Sequence, residues 1–220
     1  MSETALESQA RPRGRRPMSE RRRWLQRLEI SREAVRLFRE RGVAETTGED
    51  IADAVGLSVR TLWRYFRSKE SCVEPVLSLT TDAFVDTLRR WPSGSSLEEH
   101  LVADHRMRDQ VSPADGDATL AVVAMSRREP ALRALWLVVY ERAEPVLAQV
   151  VADRLGRSPE DLAVRVQAAT LAAALRITTE DLAADLADGR ARSDDEGGAR
   201  LSEAVRAATH GVLGDEPPSA

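Results

Sequence analysis

Apolar residues recur every three to four positions along most of the 220-residue chain, and this spacing constrains the fold more than any other feature of the sequence. Leu28, Val35 and Phe38, for example, recur at helical spacing. The alternation of β-branched or aromatic residues with polar ones, which is typical of strands, is absent, and aromatic residues make up only 4% of the chain. The sequence therefore predicts an all-α fold of about nine helices in all.

Capping residues, glycines and prolines divide the pattern into helices. The first helix is predicted from Ser19 to Arg41, where Gly42 ends it, and a short second helix follows the N-cap Thr47. A third helix runs from Ser58 to about Phe66, and a fourth begins at Ser68. Further helices are predicted over about 97–110, 117–128, 130–155, 159–187 and 199–212, with loops at 111–116 and 188–198.

Charge is divided unevenly along the chain, although the formal net charge is only −4. Residues 1–70 carry 16 Lys and Arg against 11 Asp and Glu, which gives +5, and residues 71–220 carry −9. This asymmetry is expected of a protein that meets a polyanion at one end only. The basic residues 1–18, which contain Pro12 and Pro17, are predicted to be a flexible arm; an ordinary solvated tail is the alternative. Residues 214–220 are predicted to be a flexible tail.

The most informative segment is 47–70, in which two short helices are joined by Val55-Gly56-Leu57-Ser58. Such a unit is a helix-turn-helix, whose second helix enters the major groove of DNA. Its inward positions are apolar: Ile51, Val55, Leu57, Leu62 and Phe66. Its outward positions are basic, aromatic or hydrogen-bonding, as a surface that contacts phosphates and base edges requires: Arg60, Thr61, Trp63, Arg64 and Tyr65.

Residues 24–72 resemble the TetR family of bacterial transcriptional regulators. The resemblance rests on Thr46-Thr47, Ile51-Ala52, Ala54, Gly56, Ser58, the block 62–66 and Ser68-Lys69-Glu70. One position departs from the family, which usually has tyrosine where Trp63 stands. Tryptophan keeps a ring and a donor but has no hydroxyl group, so any phosphate contact made by that hydroxyl is lost.

The resemblance implies a role for each candidate residue in binding operator DNA. Thr47 would contact a phosphate through its hydroxyl or its backbone amide, and Lys69 would meet a phosphate at the start of the fourth helix. Arg60 and Arg64 would read guanine edges or clamp the backbone. Trp63 and Tyr65 would lie along the sugar-phosphate wall, and Ser58 and Thr61 complete the DNA-binding set.

The resemblance also implies two domains: a DNA-binding domain over 19–67 and a helical effector-binding and dimerisation domain over 68–213. Two recognition helices held about one DNA turn apart bind a palindrome better than one. The helices 159–187 and 199–212, rich in alanine, are the predicted homodimer contacts; packing within one protomer is the alternative.

An apolar effector pocket with a few polar tips is predicted among the central helices. Its candidate residues are His105, Met107, Met125, Trp136 and Tyr140, each of which could instead belong to the ordinary core. No cofactor is expected beyond an unidentified small-molecule effector.

Several other classes of protein fit the sequence poorly. His100 and His105 would lie about 140° apart on a helix, and Cys72 is the only cysteine, so neither an enzyme's metal site nor a disulfide is expected. The sequence has no bilayer-spanning apolar segment, and a cytoplasmic, DNA-associated protein is predicted. A regulator without a small-molecule ligand, and an activator rather than a repressor, both stay open.

Overall fold

The computed structural model describes residues 19–92, 94–103, 110–190 and 194–209. These residues form nine α-helices and one 3₁₀ helix, which confirms the predicted all-α fold for the part of the chain described. The helices are α1 (Glu20–Arg41), α2 (Gly48–Ala54), α3 (Val59–Tyr65), the 3₁₀ helix (Glu70–Val73), α4 (Glu74–Arg89), α5 (Leu97–Ala103), α6 (Pro113–Ser126), α7 (Pro130–Leu155), α8 (Leu162–Ala187) and α9 (Asp194–Thr209). None of them is both long and apolar enough to cross a bilayer. The predicted arm (1–18) and tail (214–220) lie outside the described residues.

Local capping explains where the first three helices begin and end. Ser19 caps α1 through a hydrogen bond from the Arg22 amide, and Gly42 ends it at a φ of 90°. Thr47 and Asp50 form a reciprocal capping box at α2. Gly56, at a φ of 65°, makes the turn between α2 and α3 because that left-handed conformation disfavours other residues.

Four predicted boundaries differ from the structure. The fourth helix is preceded by the 3₁₀ helix, and α6 begins at Pro113 within the predicted loop because Ser112 caps it. Ser158 opens a turn rather than a helix, since its carbonyl accepts from the Asp161 amide, so α8 starts only at Leu162. α9 begins at Asp194, within the predicted loop 188–198.

The C-terminal helices pack around α8, which contacts α6, α7 and α9, while α4 lies against α6 and α7. α1 contacts α2, the 3₁₀ helix, α4 and α6, so it joins the N-terminal helices to the C-terminal ones. One continuous apolar core joins the two ends, from Phe38 and Leu62 through Leu77 and Phe84 to Trp136 and Leu171. α1 and α4 thus contribute to the same core.

Candidate nucleic-acid interface

The inward side of the helix-turn-helix fixes α3 against the rest of the domain. Ile51 and Leu62 are fully buried and Phe66 nearly so, while Val55 and Leu57 pack against the same core from partly buried positions. Burial of side chains of this size contributes about 1.5–3 kcal/mol each. The structure thus places all five predicted inward residues in or against the core.

Arg60 and Arg64 lie on the outward side of α3, and both are exposed. Neither guanidinium forms an ion pair with another residue in the described ranges. Each therefore keeps its full set of N–H donors, in the fork geometry that suits phosphates and guanine edges.

The hydroxyl groups at the helix starts are occupied within the protein. The Thr47 amide and hydroxyl both donate to Asp50 Oδ2, at 2.8 and 2.7 Å, and these bonds lower the pKa of Asp50. Ser58 Oγ accepts from the Thr61 amide at 3.2 Å, and the two hydroxyls lie 2.8 Å apart. Capping is thus the observed role of Thr47 and Ser58.

Lys69 lies with its ammonium group inside a ring of three carbonyl oxygens. Nζ donates to Val43 O at 2.7 Å, to Ala44 O at 3.1 Å and to Thr46 O at 2.8 Å. An ammonium group has three donors, so none is left for a phosphate. Lys69 holds the connection between α1 and α2 to the start of the 3₁₀ helix, and no residue pattern indicated these carbonyl partners.

Trp63 is 41% exposed, and its six-membered ring lies directly over Gly48 at the start of α2. A Cβ atom added at Gly48 would be 2.2 Å from Trp63 Cζ2 and 2.6 Å from Cη2. Tyr65 is partly buried and packs against the core, so less of it faces outward than predicted. Gly48 was not among the predicted site residues. The only signal in the sequence was a glycine at a helix start, together with the unusual tryptophan 15 residues later.

Two sets of ion pairs join α1 to the C-terminal domain. Arg32 donates from Nε and Nη2 to the two carboxylate oxygens of Asp115 on α6, at 2.7 and 2.8 Å. Glu74, the first residue of α4, accepts from Arg27 of α1 at 3.3 Å and from Arg142 of α7. Arg27 also lies over the Phe66 ring, 5.1 Å from its centre, directly after α3.

Asp115 is the most enclosed of these junction groups, with a side chain only 4% exposed. Hydrogen bonds from Arg32 and then Ser112 lower the pKa of its carboxyl group, against the opposing effect of burial. Asp115 is therefore held ionised, and it ties the start of α6 to α1.

Three of the predicted effector residues, Met125, Trp136 and Tyr140, lie in or against the apolar core. Trp136 is only 1% exposed, and its ring meets Tyr140 edge to face at 4.6 Å. Trp136 Nε1 donates to Glu180 of α8 at 3.1 Å, and burial raises the pKa of the Tyr140 phenol. Met125 is partly buried against the same core, whereas His105 and Met107 lie outside the described residues. Trp136 and Tyr140 thus join α7 to α8.

Open space lies instead on the other side of α7, facing α4. A cleft of about 560 Å³ is lined by Leu88, Trp91, Val150 and Arg154, among others. A second cleft, of about 360 Å³, runs on from it and shares Arg89 and Val146. Arg154 lies 3.4 Å above the Trp91 ring, with its donors on the carbonyls of Pro92 and Ser95. We refer to the two together as the α4–α7 cleft.

An apolar stripe on α8 faces away from the protomer. Leu162 is 74% exposed, Val166 55% and Ile177 49%, and the intervening Ala169 and Ala173 fall on the same side of the helix. Most other apolar residues of α8 are buried within the protomer, as are Leu201 and Val205 of α9. The predicted contact surface is therefore narrower than the two whole helices.

Two family models match the chain, in segments separated by residues 77–99. The model described as bacterial regulatory proteins, tetR family, matches residues 30–76. The model of the MftR C-terminal domain matches residues 100–193. The first match covers the whole helix-turn-helix, and the second runs from within α5 to beyond the end of α8.

Two curated regulators and two solved structures show the same likeness. TcmR of Streptomyces glaucescens, an HTH-type transcriptional regulator, is 32% identical over 139 residues, which are 60% of this chain and 62% of TcmR. KstR2 of Rhodococcus jostii (strain RHA1), an HTH-type transcriptional repressor, is 47% identical over 51 residues, which are 23% of this chain and 25% of KstR2. The chain therefore spans less than two thirds of the length of either curated relative.

The solved structures share the fold at lower identity. Salmonella enterica GusR is 21% identical with a TM-score of 0.53, over 83% of this chain and 94% of GusR. Thermus thermophilus FadR, a repressor solved in complex with lauroyl-CoA, is 21% identical with a TM-score of 0.52, over 88% of this chain and 98% of FadR. With its helix-turn-helix, its helical C-terminal domain and both family matches, the chain belongs to the TetR family of bacterial regulatory proteins.

Proposed function

We propose that this protein is a homodimeric transcriptional repressor that binds a palindromic operator and is released by a small amphiphilic molecule. The observation that carries DNA binding is the unpaired state of Arg60 and Arg64 on the outward side of α3, among the described residues. Arginines at the junction of the two domains, such as Arg32 and Arg142, are instead paired with carboxylates. Repression is supported by the names of KstR2 and FadR.

Dimerisation through the α8 stripe supplies the second recognition helix. Leu162, Val166 and Ile177 form an apolar surface that one protomer leaves in water, and an isologous contact between two copies of α8 buries it on both sides. Val166→Glu places a charge in that contact. Sedimentation equilibrium should then show a monomer, while an unaltered dimer would exclude the stripe as the interface.

The α4–α7 cleft is the proposed effector site. Leu88, Val146 and Val150 give it apolar walls. Charges of both signs lie at its edge: the cations Arg89 and Arg154, and the carboxylates Asp82, Asp86 and Asp153. An apolar molecule with an anionic or polar end suits these walls. The lauroyl-CoA of T. thermophilus FadR has this character, although the two chains share the fold at only 21% identity.

Release requires that an effector favour a dimer geometry with the wrong spacing between recognition helices. Arg142 lines the cleft and pairs with Glu74, which also holds Arg27 beside Phe66. A ligand that draws Arg142 away from Glu74 would loosen α1 and the end of α3 together. The proposed coupling thus runs from the cleft through Arg142, Glu74 and Arg27 to the recognition helix α3.

Selection of bound duplexes from a random pool at moderate salt tests the DNA-binding part. A recovered palindrome supports the dimeric, operator-specific reading. Recovery of no motif, with binding that vanishes as salt rises, would leave only non-specific attraction and would exclude it.

A thermal-shift screen of fatty acids and aromatic acids tests the effector part. We expect a compound that raises the melting temperature of the wild-type protein and lowers its affinity for the selected duplex. Val146→Trp, which fills the cleft, should abolish both effects. A fully retained response in that variant would place the effector elsewhere.

A further inference from the structure

The contact between Gly48 and Trp63 has a steric requirement that no other described glycine shares. A Cβ atom at Gly48 would lie 2.2 Å from Cζ2, 2.6 Å from Cη2 and 3.3 Å from Cε2 of the indole. Carbon atoms without a bond between them pack at about 3.5–4.0 Å, so any side chain at position 48 displaces the indole.

The backbone does not explain the glycine. Positive φ angles occur in the described residues at Gly42, Gly56, Gly156 and Gly189, and Gly48 is not among them. At a helical position with an ordinary φ, alanine is the better helix former. The space taken by the indole is therefore the reason that the structure gives for glycine at this position.

The contact joins the two helices of the helix-turn-helix on their outward side. Gly48 is the first residue of α2, and Trp63 lies in α3 between the inward-facing Leu62 and the outward-facing Arg64. The indole stays 41% exposed, so it covers Gly48 with one part of the ring and forms the outer surface with another. Its N–H makes no hydrogen bond to another residue of the described ranges.

We propose that Gly48 is a positioning residue for operator recognition: it seats the Trp63 indole, and the seated indole fixes the outward surface that Arg60 and Arg64 share. The inference rests on the proposed DNA binding. Recognition groups act only when their neighbours hold them within about half an ångström, and an indole displaced from Gly48 would move into the path of the DNA. Trp63 and Gly48 thus act as one unit.

A double-mutant cycle tests this coupling, with the duplex recovered by selection as the probe. The four proteins are the wild type, Gly48→Ala, Trp63→Ala and the double variant. Gly48→Ala should weaken binding about tenfold when Trp63 is present, and less than twofold in the Trp63→Ala background. Binding to an unrelated duplex of equal length should stay within twofold for Gly48→Ala, because that affinity depends on charge and on a folded domain.

Gly116→Ala is the matched control. Gly116 lies in the first turns of α6 with an ordinary φ, and a Cβ there meets nothing within 4 Å. This variant should bind the selected duplex as the wild type does. Melting curves of all five proteins show whether a weaker binder is still folded.

The outcomes separate this inference from the function on which it rests. Equal losses on Gly48→Ala in both backgrounds, or no loss in either, would overturn the positioning role while leaving operator binding intact. If Gly48→Ala fails to fold, the melting temperature of the double variant decides. A melting temperature restored by Trp63→Ala would support the steric contact between the two residues, and one that is not restored would overturn it. A wild-type protein that cannot distinguish the selected duplex from the unrelated one would overturn both proposals.

Discussion

Two groups of arginines in this protein differ in what surrounds them. Arg60 and Arg64 on α3 are exposed, without a carboxylate partner in the described part of the chain. Arg27, Arg32 and Arg142 at the junction of the two domains all pair with carboxylates, on Glu74 or Asp115. The side chains are chemically identical, and only the junction group has its charge neutralised inside the molecule.

This difference assigns the two groups of arginines to different roles, one in DNA binding and the other in the stability of the fold. An unpaired guanidinium on a rigid helix adds nothing to folding but retains its donors for a polyanion. A paired one at a domain junction stabilises one relative position of the two domains, and it has little left for DNA. Substitutions in the two groups should therefore produce opposite patterns of effect on operator affinity and on the free energy of unfolding.

The largest expected effect is on operator affinity. Arg64→Ala should weaken binding to the selected duplex by about 1–3 kcal/mol, or roughly 5- to 150-fold, if Arg64 makes a bidentate contact. The free energy of unfolding should change by less than about 0.5 kcal/mol, as for other exposed substitutions. Fluorescence anisotropy at fixed salt and a urea titration measure the two quantities. Arg157→Ala, which removes an exposed arginine paired with Asp161, is the control. Unchanged affinity would remove Arg64 from the interface.

Arg32→Ala should show the reverse pattern. It leaves the enclosed Asp115 carboxylate without its cation, so the free energy of unfolding should fall by about 1–2 kcal/mol, a figure reduced because Arg32 itself is half exposed. Arg36→Ala, one turn further along α1, removes an arginine paired only within its own helix and should change little. Equal stability of the two variants in urea would contradict a stabilising junction.

Lys69→Met tests whether a fourth basic residue belongs with the junction group. Three carbonyls lose their donor while the aliphatic stem is kept, so a loss of about 1 kcal/mol in unfolding free energy is expected. The slope of log affinity against log salt should not change, whereas a lost phosphate contact would reduce it by about 1. A reduced slope would return Lys69 to the DNA interface.

The smallest expected effect is the pH dependence of the junction. The pKa of Asp115 is lowered in the folded protein, so its contribution is complete above the unfolded value of about 3.9 and is lost as pH falls through the folded pKa. Urea midpoints of the wild type and Asp115→Asn should differ at pH 7 and converge towards pH 3. A constant difference across that range would show that the ionised carboxylate is not what stabilises the junction.

Residues whose roles depend on near neighbours were predictable from the sequence. The inward positions Leu62 and Phe66 follow from helical spacing, and the Thr47–Asp50 capping box and the Gly56 turn follow from local chemistry. Predicted helix boundaries were wrong where the same local residues are compatible with two structures. Ser158 could cap a helix or close a turn, and the structure shows the turn.

Residues whose roles depend on distant partners were not predictable. The Lys69 ammonium donates to a carbonyl 25 residues earlier, Arg142 pairs with Glu74 68 residues away, and Trp136 donates to Glu180, 44 residues later. Cys72 is fully buried, and burial raises the pKa of its thiol to about 12. Buried thiols of this kind are inert.

The sequence by itself determined the helical fold, the helix-turn-helix and the family resemblance, because helical periodicity, caps and turn glycines act over a few residues. Only the tertiary structure decided which basic and aromatic groups are free and which are occupied. The N–H donors of Lys69 form hydrogen bonds within the protein, and those of Arg64 form none within the described part of the chain. This difference depends on side chains and carbonyls that folding brings together from elsewhere in the chain. The space at Gly48 was likewise decided by Trp63, a residue on another helix.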